Sequence, residues 1–161
     1  MIGMLILDQL TKHWARTAFN EHQQPGFPFP GFLEFTLIYN QGIAFGLMKG
    51  SGILMTPIAV GIAGAALVYS SKNPGERGWT QLAMGLLAAG ALGNLYDRLH
   101  DGKVTDMIYL TVINFPVFNV ADACITCAAA ILMITWTFEA VKPAEGPKIA
   151  TTVETLENPV P

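Results

Sequence analysis

Long stretches without a charged residue are the feature that most restricts how this chain can fold. Three occur, at residues 53–69, 79–96 and 123–138, and the last needs the residues around Asp122 to reach spanning length. Each approaches the roughly 20 apolar helical residues that cross a bilayer core. Because 52% of the 161 residues are hydrophobic and only 13% are charged, the sequence predicts a membrane protein.

A fourth helix is predicted at the N-terminus, where the apolar run is shorter and stops at Asp8. A helix over residues 1–19 could span only if Asp8 and Lys12, four positions apart, share one helical face and pair there. We interpret them as a structural ion pair that orients this helix, because paired charges neutralise each other. A functional role for the pair is the weaker alternative.

These segments predict a membrane all-α bundle of four transmembrane helices. Residues 32–39 alternate apolar and polar side chains as a strand does, so we also expect a small β-sheet lying on the membrane. The bundle and sheet are expected to form one domain over residues 1–140, with the sheet region at about 20–52 and 99–118. Residues 141–161 mix Pro, Thr and Glu and are expected to be a disordered tail.

Several function classes are not supported by the sequence. The nine Lys and Arg residues are scattered, so no basic stripe predicts nucleic-acid binding. Cys124 and Cys127 have no His or second Cys pair nearby, and we interpret them as packing residues, a redox pair being the weaker alternative. HExxH, GxSxG and P-loop motifs are absent from the sequence, and neither a metal nor a cofactor is expected.

Two aspartates near predicted helix ends, Asp106 and Asp122, are the candidates for catalysis. Asp122 could instead form a capping box with Asn119, and Asp106 could face solvent on an edge strand. However, two aspartates suffice to hydrolyse an amide, since the ionised one activates water while the protonated one donates to the carbonyl oxygen. We therefore predict that they form a catalytic dyad.

A polar cluster at the end of the third predicted helix comprises Asn94, Asp97 and Arg98. Asn94 and Arg98 are four positions apart and share a helical face, which Asp97 can join. The cluster could simply cap the helix at the membrane surface. Alternatively, it could hold a substrate carbonyl or orient a catalytic carboxylate, as guanidinium donors do well. The sequence leaves both interpretations open.

Five short segments, in this order along the chain, together resemble the signal peptidase II family, the aspartic lipoprotein signal peptidases of bacterial inner membranes. They are LDQLTK, YNQGIAFG, GALGNLYDRL, VTDMIYL and FNVADA. Two departures from the family pattern are Thr105 and Met107 beside Asp106, where the family has VVDFI. A third is Ala123, where Ser is common. None of the three removes a proposed catalytic group.

The resemblance implies a four-helix fold with a small periplasmic β-cradle, cytoplasmic termini, and an active site toward the periplasmic face of the inner membrane. It implies cleavage of prolipoproteins just before a diacylglyceryl-modified cysteine, so the expected partners are that substrate and membrane lipids, with the enzyme a monomer. The implied site residues are the dyad Asp106 and Asp122, the supporting or substrate-binding Asn40, Gly42, Ala44, Phe45, Asn94, Asp97, Arg98 and Asn119, and Asp8 and Lys12 in the first helix.

Two other function classes remain as alternatives. A small transporter or channel would use its carboxylates to relay protons or bind cations, and it predicts flux without cleavage. It also predicts internal repeat symmetry, which residues 1–71 and 79–138 do not show. A non-catalytic assembly factor would use its polar helix ends for docking and would tolerate Asn at positions 106 and 122.

Overall fold

The structure, a computed structural model, describes residues 1–42 and 55–140. Four α-helices occur in these residues, each where the sequence predicts one, and a short 3-10 helix occurs at Thr111–Ile113. The α-helices are α1 (Ile2–Ala18), α2 (Met55–Lys72), α3 (Gly78–Asp101) and α4 (Val120–Ala140). The α3 helix packs against the other three, and α1 also packs against α4. The predicted tail at 141–161 lies outside the described residues.

A small antiparallel sheet connects the helices on one side of the bundle. Its strands are β1 (Pro28–Phe29), β2 (Leu33–Asn40) and β3 (Val104–Tyr109), in the order β1-β2-β3. The alternation over residues 32–39 therefore predicted β2 correctly. Because Gly102 ends α3 with a left-handed φ of 70°, the chain turns at once into β3, as glycine at a helix end allows.

The distribution of side chains is inverted relative to a water-soluble bundle. Large apolar side chains such as Leu10, Val60 and Phe138 are more than half exposed, whereas charged Lys12 and Asp97 are completely buried. Many of the buried apolar residues on the helices are alanines. Exposed apolar helices with polar groups inside are what contact with lipid requires. The chain is therefore a membrane protein.

Among the described helices, one is long and apolar enough to cross a membrane by length and composition, at Val120–Phe138. The number of spanning helices therefore stays a prediction.

Two glycines of α3 let the neighbouring helices approach closely. A Cβ atom at Gly90 would overlap the backbone oxygen of Ala121 and lie 2.7 Å from Cγ1 of Ile125 on α4. At Gly93 it would lie 2.5 Å from a carboxylate oxygen of Asp8 on α1. Because neither position carries a side chain, the start of α4 and the middle of α1 can pack directly against α3.

Candidate active site

Asp106 and Asp122 line the same cavity, although one lies on β3 and the other in the first turn of α4. The cavity has a volume of about 490 Å³, and Asn40, Asn94 and Arg98 also line it. Its remaining walls are mostly apolar and come from β3, the segment before α4 and α4 itself. The fold thus brings five of the predicted site residues together.

Asn119 connects the two aspartates. Its side-chain amide donates to Oδ1 of Asp106 at 2.6 Å. Its backbone N–H donates to Oδ2 of Asp122 at 3.3 Å, and its side-chain oxygen accepts from the backbone N–H of Asp122 at 2.9 Å. This reciprocal pair is the capping box that the sequence offered as an alternative. Asp122 therefore caps α4 and lines the cavity at the same time.

The remaining carboxylate oxygens of the pair also accept hydrogen bonds from asparagines. Asn94 donates from Nδ2 to Oδ1 of Asp122 at 2.7 Å, and Asn40 donates from Nδ2 to Oδ2 of Asp106 at 3.2 Å. All four carboxylate oxygens therefore have a donor, which restricts the rotation of both side chains. A preorganised pair of this kind is suited to catalysis.

A second cavity, of about 620 Å³, reaches Asp106 from the side of β2. Asn40 and Gly42 line it, and the backbone N–H of Gly42 donates to Oδ1 of Asn40 at 3.0 Å. Asp106 therefore lies where the two cavities meet. Ala44 and Phe45, which the sequence predicts to contact substrate, lie outside the described residues.

The surroundings of Asp106 favour its protonated form. Burial is the main cause and the negative charge of Asp122 the second, and together they raise the pKa of Asp106 to about 7. Hydrogen bonds from Asn40 and Asn119 and the positive charge of Lys12 act in the opposite direction. Near neutral pH, a large fraction of the molecules therefore carries a proton on this carboxyl, as a general acid requires.

Arg98 also lines the cavity. Its one hydrogen bond within the described part of the chain runs from Nη1 to the backbone oxygen of Asn94, at 3.4 Å. None of the carboxylates in residues 1–42 and 55–140 forms an ion pair with it. Most of its donors are therefore available to another group in the cavity.

The sequence grouped Asp97 with Asn94 and Arg98, but of these three residues Asp97 does not line the cavity. It is completely buried and contacts α1, where Lys12 Nζ lies 3.2 Å away and Arg16 Nη2 3.1 Å away. Lys12 also lies 2.9 Å from Asp8, the partner that its spacing predicted. The structural roles proposed for Asp8 and Lys12 stay predictions.

Arg16 is a part of this cluster that the sequence analysis missed. Its Nε donates to the side-chain oxygen of Thr105 at 2.8 Å. The spacing could have revealed it, because Asp8, Lys12 and Arg16 follow one another at intervals of four and so share one face of α1.

Apolar side chains cover the outside of the bundle, and charged side chains are buried inside it. Together with a cavity lined by two carboxylates that share one hydrogen-bonding partner, they define an integral membrane protein with an enzyme-like site. Two solved structures described as bacterial membrane enzymes share this fold, with TM-scores of 0.83 and 0.74 and identities of 30% and 32%. The alignments cover 90% and 84% of this chain, and 89% and 88% of those proteins.

Sequence comparisons identify the family. The family model for signal peptidase (SPase) II matches residues 1–138. The lipoprotein signal peptidase of Aquifex aeolicus is 41% identical over 153 residues, which cover 89% of this chain and 85% of that protein. That of Streptococcus agalactiae serotype V is 36% identical over 133 residues, covering 83% and 86%. The chain belongs to the signal peptidase II family and is a peptidase, which confirms the resemblance seen in its motifs.

Proposed function

We propose that this peptidase removes signal peptides from diacylglyceryl-modified prolipoproteins by cleaving the bond before the lipidated cysteine. Asp106 and Asp122 form the catalytic dyad. The observation that carries this proposal is that both carboxylates line one cavity and both are hydrogen-bonded to the same residue, Asn119. Membership in the family supports the same class of substrate.

The proposed reaction uses the different surroundings of the two aspartates. Ionised Asp122, at the N-terminus of α4 where the helix dipole favours negative charge, takes a proton from water. The resulting hydroxide attacks the carbonyl carbon while protonated Asp106 donates its proton to the carbonyl oxygen. Asp122 then returns a proton to the leaving amine as the C–N bond breaks, and Asp106 recovers its own proton from the collapsing intermediate.

The polar residues and walls of the cavity fit the proposed substrate. Arg98 and Asn40 can donate to peptide carbonyls on either side of the scissile bond. The mostly apolar wall of the 490 Å³ cavity suits an apolar signal peptide or an acyl chain better than a charged segment. Gly42, beside Asn40, and Ala44 are proposed to contact the substrate, as the family motif implies.

The proposed placement has all four helices spanning the bacterial inner membrane, with both termini in the cytoplasm. The sheet and the dyad then lie toward the periplasmic face, as the β-cradle of the family does. The exposed apolar side chains on α1, α2 and α4 support this placement, because each helix presents them to the outside of the bundle. The enzyme is proposed to act as a monomer that contacts substrate and membrane lipids.

The proposal is tested by incubating the purified protein in detergent with a diacylglyceryl-modified prolipoprotein. We expect the precursor to lose the mass of its signal peptide, with the new N-terminus at the lipidated cysteine, as mass spectrometry would show. The matched control is the same precursor without the lipid, which should remain uncleaved. Equal cleavage of both precursors would refute the lipid requirement, and cleavage of neither would refute the proposed function.

The pKa of Asp106 also predicts how activity depends on pH. Because Asp106 must be protonated and its pKa is raised to about 7, kcat/KM should fall as the pH rises through about 7. Well above that value, the logarithm of kcat/KM should decrease by about one unit per pH unit, as loss of one proton requires. The measurement is kcat/KM from pH 5.5 to 9 with a precursor that has no ionisable side chains beside the cleavage site. A rate that stays constant from pH 6 to 9 would contradict the assignment of Asp106 as the acid.

A further inference from the structure

The buried ammonium of Lys12 is completely surrounded by acceptors from the described residues. Its Nζ atom lies 2.9 Å from Oδ2 of Asp8, 3.2 Å from Oδ2 of Asp97 and 3.0 Å from Oδ1 of Asn94. Three acceptors match the three N–H donors of an ammonium group. Lys12 therefore joins two buried carboxylates of different helices, rather than only its neighbour on α1.

Each of these two carboxylates also holds one backbone amide. Asp8 accepts from the backbone N–H of Ala121 through Oδ1 at 2.9 Å, and Asp97 accepts from the backbone N–H of Thr105 through Oδ2 at 3.0 Å. Ala121 directly precedes Asp122, and Thr105 directly precedes Asp106. The same ammonium thus connects the backbone positions just before both aspartates of the dyad.

Two further contacts strengthen the connection to the dyad. Asn94 accepts from Lys12 through its oxygen and donates to Asp122 through its nitrogen at 2.7 Å. On the other side, Arg16 donates to the side chain of Thr105 while it pairs with Asp97 at 3.1 Å. The cluster therefore reaches Asp122 through the backbone of Ala121 and the side chain of Asn94, and it reaches the residue before Asp106 through both the backbone and the side chain of Thr105.

Stability alone is a weak explanation for this arrangement. Asp8, Lys12 and Asp97 are each at most 1% exposed, and the cost of removing charges from water often exceeds what their pairing returns. A buried backbone N–H at the start of a helix, such as that of Ala121, does need an acceptor. However, a neutral acceptor would meet that need without burying three charges.

We propose that Asp8, Lys12 and Asp97, together called the amide clamp, are positioning residues that set the separation of Asp106 and Asp122. The proposal rests on the proposed function, in which these two aspartates perform the hydrolysis. The clamp does not touch the substrate. It acts by holding β3 and the start of α4 at fixed positions relative to α1, so that one water can lie between the two carboxylates.

The test compares Asp97→Asn and Asp8→Asn with Asp101→Asn as a matched control. In Asp8, Oδ1 accepts from the amide of Ala121 and Oδ2 contacts Lys12, so an asparagine, with one acceptor oxygen, keeps only one of these contacts. In Asp97, Oδ2 serves both Lys12 and the amide of Thr105 while Oδ1 pairs with Arg16, so an asparagine removes the negative charge that both cations face and directs its NH2 group toward one of them. We expect kcat to fall by about 10- to 100-fold with KM little changed, since misplacement of about 1 Å costs that much. Asp101 pairs with Arg16 at 3.3 Å but holds no amide next to the dyad, so its variant should retain the wild-type kcat.

A pH profile separates positioning from a purely structural role. Three charged groups, those of Asp122, Lys12 and Arg98, act electrostatically on the carboxyl of Asp106, and two asparagines donate hydrogen bonds to it. Since the charge of Lys12 lowers the pKa of Asp106, its removal should move the alkaline limb of kcat/KM to higher pH. Asp8→Asn/Lys12→Met removes one charge of each sign and is the variant to use if Lys12→Met alone does not fold.

All rates are normalised to folded protein, determined from thermal unfolding in detergent. Wild-type kcat and an unshifted pH profile in the folded clamp variants would overturn the proposal, as would a loss of kcat that disappears on this normalisation. That result would leave the dyad intact, provided that Asp106→Asn is inactive. Cleavage by Asp106→Asn and Asp122→Asn would instead overturn the proposed function itself.

Discussion

Replacing Asp106 with Asn should lower kcat for precursor cleavage by about 10³-fold, within the range typical for loss of a general acid or base. The substituted amide has nearly the same shape, so the cavity persists, but it cannot donate a proton and recover it. Asp122→Asn should have an effect of similar size, because the amide cannot take a proton from water. The measurement is single-turnover cleavage of the lipid-modified precursor, followed by mass spectrometry.

The double variant should be hardly less active than either single variant, since the two groups act as one unit. Additive losses would show that each aspartate contributes independently, and cleavage above about a tenth of the wild-type rate by either single variant would contradict the dyad. The matched control is again Asp101→Asn, a carboxylate at the end of α3 outside the cavity.

The pH dependence of thermal stability tests the raised pKa of Asp106 independently of activity. The folded protein holds this proton more tightly than the unfolded chain, because the pKa is raised from 3.8 to about 7. Between these values the folded state binds more protons than the unfolded state, so the free energy of unfolding decreases as the pH rises. Asp106→Asn should remove this part of the pH dependence. An unchanged slope in the variant would show that Asp106 is not the group that titrates.

The helices were the most predictable part of the fold. The three charge-free stretches predicted α2, α3 and α4, because a helix that crosses a membrane requires a long run of apolar residues that is visible in the sequence. For α1 the spacing of Asp8 and Lys12 served the same purpose, since an i,i+4 pair can be inferred within one helix. Alternation likewise predicted β2, but not its register with β3, which is interrupted by a bulge between Phe35 and Ile38.

Contacts between elements that are distant in the chain were not predictable from spacing. Nothing in the sequence indicates that Asp97 on α3 accepts from Thr105 on β3, or that Asp8 accepts from Ala121, 113 positions away. Asp97 was therefore grouped with Arg98, its neighbour in the chain, although its nearest cations lie on α1. The motif order predicted five residues that line the cavity, and the tertiary contacts determine what each one holds.

The capping box shows the same difference on a smaller scale. From the sequence, helix capping and catalysis were competing explanations for Asp122. In the structure one carboxylate oxygen accepts from the backbone of Asn119, and the other accepts from Asn94 within the cavity. The two explanations are compatible because a carboxylate has two oxygens, and capping fixes the orientation that the proposed reaction needs.

Gly90→Ala should lower both the stability and the activity of the protein. The added Cβ would overlap the backbone oxygen of Ala121 and approach Ile125 to 2.7 Å. A backbone atom cannot move aside as a flexible side chain can, so α4 must shift as a whole. Overpacking of this kind costs about 1–3 kcal/mol in the free energy of unfolding. The shift also moves Asp122, the residue after Ala121, so kcat should fall by about 10-fold or more.

Gly85→Ala on the same helix is the matched control for this prediction. There the nearest atoms to an added Cβ are those of Met1, at 3.8 and 3.9 Å, which is ordinary van der Waals contact. Because alanine is favoured over glycine in a helix by about 1 kcal/mol, this variant should unfold at the wild-type temperature or above it and retain the wild-type kcat. Thermal unfolding and cleavage rates of both variants in one detergent provide the comparison. If Gly90→Ala behaves like Gly85→Ala in both measurements, close contact between α3 and α4 is not what holds Asp122 in the cavity.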